Sequence, residues 1–149
     1  MRGMGNLYDY FSAPDDDAAR SAFDDGPRAA GFPTYLTKGI DAYVQLGAAE
    51  GLLRAEPYSD VTAHPRFGHL LSDPEDEARW LTTLTDELRD ALAAATPQRL
   101  GAVAVPWSQI EEFQGQAAPE ALAEYLQGLA SLARHAQASG HRLYCLMSL

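Results

Sequence analysis

Residues 119–149 constrain the fold more than any other stretch of the chain. Leu122, Leu126, Leu129, Leu132, Ala133 and Ala136 recur at the spacing that lines them along one helix face. Pro119 suits a first helical turn, Glu120 beside it complements the helix dipole, and Gly140 supplies a left-handed C-cap. Directly after that glycine comes HRLYCLMSL, whose apolar side chains point both ways from its middle. Such a segment reads as a strand buried on both faces, or as an inner strand at a helix–sheet seam.

The rest of the chain supplies weaker elements of the same two kinds. Leu7-Tyr8-Asp9-Tyr10-Phe11 reads as a short aromatic strand, and Tyr35-Leu36-Thr37 as a second. Between them, residues 12–34 form an acidic loop with Gly and Pro, expected to be mobile, with one helical turn after Pro14. Asp41 is an N-cap for a helix through Arg54, in which Gly47 and Gly51 either weaken the helix or permit close packing on a sheet. Residues 61–77 read as loop. A strand over 79–84 then leads into a helix capped by Thr85 and stopped at Thr96-Pro97. Val103-Ala104-Val105 reads as a strand or a buried linker. With no repeat and no second compositional zone, the expectation is a single α+β domain over residues 1–149, a small mixed sheet packed with three main helices.

Charge narrows the function classes. The net charge of -10 argues against nucleic acid and against anionic membrane as partners, since both need clustered Lys and Arg. It favours solubility and a basic protein partner. The single cysteine, Cys145, permits no internal disulfide and lies in an apolar run, as a buried small hydrophobe does. MRGMGNLYDYF lacks the apolar stretch of a signal peptide, and no run approaches a membrane span, so a cytoplasmic protein is expected.

The most suggestive short motif is PWSQIEEF, residues 106–113. Its structural reading is a helix start: Ser108 and Glu111 form a capping box, and Trp107 staples onto the first turn near Glu112 and Phe113. Its functional reading makes Trp107, Glu111, Glu112 and Phe113 a binding surface for a basic partner, with the tryptophan as anchor. Adjacent glutamates on a helix point about 100° apart, too divergent to flank one glycosidic bond.

Other candidates carry less. His64 and His69, five apart with Pro65 and Gly68 between, lack metal-ligand spacing even with Asp60 and Asp73 nearby. Asp15-Asp16-Asp17 and Asp24-Asp25-Gly26 lack the alternating ligands of a calcium loop. No nucleophile elbow, phosphate loop or cofactor fingerprint occurs, so neither cofactor nor metal is expected.

The chain resembles the YfbM-like family of uncharacterised bacterial proteins. The similarity lies in Met4-Gly5-Asn6-Leu7-Tyr8, in Leu36-Thr37-Lys38-Gly39-Ile40-Asp41 running into a helix that ends in Leu52-Leu53, in Arg79-Trp80-Leu81-Thr82 before a helix, and in the closing helix and strand. It departs at Ile40, where an aromatic is usual, and at Arg54-Ala55, where Thr-Gly commonly ends the helix. The resemblance implies an α+β fold and no particular chemistry.

Three functions are therefore weighed. The first is a non-enzymatic interaction or regulatory module using its acidic surface on a basic protein. The second is a small-molecule binder or hydrolase with a pocket near Trp107, His64 and His69. The third is self-association into a homo-oligomer.

Overall fold

The computed structural model describes residues 6–149, so Met4 and Gly5 of the Met4–Tyr8 resemblance motif lie outside the described residues. Four strands, β1 (Leu7–Ala13), β2 (Thr34–Lys38), β3 (Arg79–Thr83) and β4 (Arg142–Ser148), form one sheet in the order β2-β1-β4-β3. Every pairing is antiparallel, so the α+β class stands while the sheet is not mixed. The chain ends in the interior of the sheet: β1 and β4 are the two central strands, with Tyr10 opposite Cys145.

The central strands are apolar on both faces, as the closing segment suggested. Leu143, Cys145 and Met147 join Tyr8 and Tyr10 in the larger core, while Tyr144 and Leu146 join Phe11, Ala13 and Leu81 in a smaller core on the opposite face. The larger core is covered by helices α2 (Val44–Arg54), α4 (Asp86–Ala94), α5 (Pro97–Trp107) and α6 (Pro119–Ser139). The smaller is covered by α1 (Asp16–Ser21) and by Phe23 and Phe32 from the turns after it. The expected loop over 12–34 is therefore not structureless: its ends belong to β1 and β2, and residues 14–33 form the third layer of the molecule. Phe11 stacks between Phe32 and Tyr144, with ring centroids at 6.1 and 5.5 Å. A short helix, α3 (Tyr58–Thr62), follows α2.

Local capping sets most boundaries. The N-cap residue of α2 is Tyr43 and not Asp41; the Asp41 carboxylate, two residues earlier, accepts from the Tyr43, Val44 and Gln45 N–H groups, and the Gln45 side chain accepts from the Asp41 N–H at 2.8 Å, which holds the turn leading into the helix. Thr85 Oγ1 accepts from the Leu88 N–H at 3.0 Å to start α4, and Gly140 closes α6 at φ 68. The α2 glycines do permit close approach, though to α3 and the loops flanking it and not to the sheet: a Cβ on Gly47 would stand 2.8 Å from the Phe67 ring.

A further segment departs from expectation. Val103-Ala104-Val105 is neither strand nor linker but the middle of α5. Thr96-Pro97 ends α4 and also begins α5: Thr96 Oγ1 accepts from the Arg99 N–H at 3.1 Å, and Pro97 occupies the first turn. Leu100, Val103, Ala104 and Trp107 then form the buried stripe. Pro106 lies in the last turn and has no N–H to donate to the Ala102 carbonyl.

Candidate functional site

The expected motif is reorganised by that helix. Ser108 caps the C-terminus of α5, not the start of a helix, and its Oγ donates to the Val105 carbonyl at 2.7 Å. The capping box with Glu111 therefore does not form. Glu111–Phe113 makes a single 3₁₀ turn, entered from Ile110 and left through Gln114 at φ 54. Trp107 is 0% exposed, so it is not a surface anchor. Its Nε1–H donates to the Gln45 carbonyl at 2.8 Å, tying α5 to α2, and its ring meets Phe113 edge-on at 5.4 Å and Tyr125 at 5.9 Å. Burial against apolar helices is the physical reason: an indole contributes most where its ring is dry and its N–H is satisfied. Phe113 is half-buried against Trp107, while Glu111 and Glu112 remain exposed.

What the motif does build is the wall of a groove. An open cavity of about 620 Å³ runs between α2, the start of α3 and the end of α5. Its walls are Val44, Ala48 and Leu52 from α2, Tyr58 from α3, and Pro106 and Ile110 from the other side. Val44 and Tyr58 keep over two-fifths of their surface in solvent, and Val105 on the neighbouring turn keeps half. The charged residues lining the groove are Glu56 and Glu112. Burial pushes the Tyr58 hydroxyl above the ordinary tyrosine range, and the negative charges of Asp41 and Glu112 push the same way. The groove is thus apolar on its walls and electronegative at its rim. Trp107 and Gln45 form the joint that holds its two sides at this separation.

The other candidates separate from it. His64 takes a hydrogen bond from the Arg66 N–H on Nδ1 at 3.0 Å and lies 3.1 Å from Glu87 through Nε2. His69 is exposed, with its carbonyl accepting from the Thr83 N–H. Neither lines the groove, and Trp107 has no surface to offer a pocket shared with them. Among the described residues no group of three or more His, Cys, Asp or Glu is placed to hold a metal ion. The aspartate run is structural: Asp15 caps α1 through the Ala18 N–H, Asp16 takes a two-pronged contact from Arg66, and Asp17 pairs with Arg20.

Two polar clusters escaped the sequence reading. At one end of the sheet, Asp16 accepts from Arg66 and from the Tyr144 hydroxyl at 2.7 Å, locking the third layer onto the strands. The Arg66 hydrogen bonds hold the Asp16 carboxyl below the ordinary aspartate range, aided by Tyr144. Behind α2, Glu50 is 1% exposed and accepts from Thr85 Oγ1 at 2.7 Å and Arg54 at 2.6 Å. Burial raises its pKa despite both bonds. Because Thr85 is the N-cap of α4, this carboxylate also faces a helix N-terminus, where negative charge is favoured. Only the Glu50–Arg54 pair is local, at a spacing of four; Glu50–Thr85, Asp16–Arg66 and Asp16–Tyr144 join residues 35, 50 and 128 apart, which no local pattern announces.

Among the described residues no helix is long and apolar enough to cross a membrane. No family model matches the chain, and no curated protein or solved structure matches it.

Proposed function

We propose that this protein is a non-enzymatic interaction module whose groove between α2 and α5 takes the apolar face of a basic helix from another protein. The observation that carries the reading is the composition of the groove: apolar side chains on the walls, and glutamates as the charged residues lining it. A helix fits better than an extended peptide. The walls are largely helical, so their backbone groups are already bonded, and a docking segment must satisfy its own backbone. Glu56 and Glu112, with the net charge of -10 behind them, favour lysine or arginine flanking the apolar stripe of that helix. Tyr58, amphipathic and exposed in the free protein, has the character of a binding hot spot. The resemblance to the YfbM-like family implies no activity, so the proposal stands on the groove.

The test uses a fluorescently labelled amphipathic peptide of leucine and lysine, and the same peptide with glutamate for lysine. Anisotropy is expected to rise saturably for the lysine peptide alone, and the affinity to fall with added salt. Val44→Asp and Tyr58→Ala, both at exposed positions, are each expected to weaken binding about tenfold or more. Equal binding of both peptides, or no effect of either substitution, would overturn the reading.

A further inference from the structure

The two edges of the sheet are finished differently. Outside β3 the hydrogen-bond ladder continues into residues 68–72. There the Gly68 N–H donates to the Thr83 carbonyl, the Thr83 N–H to the His69 carbonyl, the Leu71 N–H to the Leu81 carbonyl, and the Leu81 N–H to Ser72 Oγ, at 2.8 to 3.2 Å. Outside β2, no segment among the described residues does the same. The Ser12 N–H donates to the Pro33 carbonyl, which fixes the phase of the β1–β2 ladder. Inward-bonded residues alternate in an antiparallel pair, so Tyr35 and Thr37 face β1, and the backbone N–H and C=O of Leu36 point out of the sheet, with those of Thr34 and Lys38 beside them. A bare edge is a template for another strand.

We propose that this edge pairs with the same edge of a second copy, antiparallel and centred on Leu36, joining two four-stranded sheets into one. The sequence TYLTK is self-complementary about that centre. A two-fold axis at Leu36 sets Leu36 opposite Leu36, Tyr35 opposite Thr37, and Thr34 opposite Lys38. The pairs with outward-facing backbone are then the ones that exchange hydrogen bonds. Lys38, the single lysine of the chain, meets a threonine and not its own copy.

Side chains and charge favour the same occupant. Leu36 is 51% exposed and Leu7, on the adjacent strand and the same face, 44%. Both line a depression of about 560 Å³ beside the edge, where Arg28 and Lys38 balance Asp9 and Asp25. Two molecules of charge -10 repel over most of their surfaces, and here the local charge cancels. The seam is five residues long, which places the dimer with small, reversible interfaces.

The experiment is sedimentation equilibrium on the full chain over a concentration series, with Leu36→Lys and Leu36→Glu measured singly and mixed. Wild type is expected to approach twice the 16.1 kDa chain mass as concentration rises. Each variant alone sets like charges face to face and is expected to weaken association about tenfold or more. An equimolar mixture of the two is expected to recover it, because Lys then faces Glu. Circular dichroism confirms that each variant is folded. A Leu36→Cys variant adds an independent reading: directly opposed residues of such a pair sit about 5.5 Å apart between Cα atoms, within disulfide reach. An air-oxidised dimer through position 36 is expected, since Cys145 is buried. Wild type that stays monomeric throughout, binding a foreign strand instead or nothing at all, would overturn the proposal, as would a dimer indifferent to both charge variants.

Discussion

Ala55 ends α2 in the left-handed region, at φ 55, a conformation that costs a residue with a Cβ about 1–2 kcal/mol. Glycine is the residue such a helix end favours. Ala55→Gly is therefore expected to stabilise the fold by about 1 kcal/mol, read as a higher urea midpoint with an unchanged slope. Asp16 carries the pH dependence. Its folded carboxyl titrates below its unfolded one, so its contribution is complete above the unfolded value and fades as pH falls through the folded value. Asp16→Asn is expected to destabilise at neutral pH, and the gap to wild type to narrow as pH drops from about 5 to about 3. A gap that stays constant over that range contradicts the assignment. Glu50 acts with the opposite sign: its raised pKa means that ionisation costs stability as pH rises. Neither residue stood out in the sequence: Glu50 has Arg54 four residues on, but its burial and its Thr85 partner are set by the fold. Asp16 sits in a run of three aspartates, and nothing local says which of them meets Arg66.

At the level of elements, what was legible is what is local. Asp41, Thr85 and Gly140 mark their helix ends in the sequence because a cap is a contact across two to four residues. The third strand was legible because Trp80, Thr82 and Thr83 are aromatic or β-branched. The fifth helix was missed where two rules conflict. Thr96-Pro97 stops one helix and starts the next, and Val103 and Val105 suggest a strand while Leu100, Val103, Ala104 and Trp107 keep a helical period. Burial of that stripe decides the outcome, since tertiary packing overrides propensity. Contacts between elements were not legible at all. The approach of α6 to β2 depends on Gly128, where a Cβ would stand 2.4 Å from the Tyr35 ring and the Tyr35 hydroxyl donates to the Tyr125 carbonyl. Gly128→Ala gains about 1 kcal/mol of helix propensity and forces the ring aside, for a net loss of about 1 kcal/mol. In a Tyr35→Ala background the same change is expected to become stabilising, a reversal that chemical denaturation of the four variants measures.

The whole molecule is a three-layer arrangement: a four-helix cover, an antiparallel sheet with its central strands buried on both sides, and a thin acidic layer over residues 14–33. The class of fold followed from a chain that ends in a helix and a strand apolar on both faces. The groove did not, because its two sides come from residues 44–58 and 106–112, which only the packing of α2 on α5 brings together. The segment singled out in the sequence lines the groove, but not in the arrangement expected of it. Trp107 does not meet a partner itself; it holds Pro106, Ile110 and Glu112 in place across from Val44 and Tyr58. In the proposed interaction, the acidity of the chain supplies a field around the rim that steers a basic helix. The most direct measurement is a backbone-amide NMR titration of the folded chain with the leucine–lysine helix. The account predicts shifts confined to Val44, Ala48, Leu52, Tyr58, Ile110 and Glu112 and their neighbours, reversed by salt and absent with the glutamate peptide. Shifts scattered over the acidic surface, or centred on His64 and the end of the sheet with the groove silent, would contradict it.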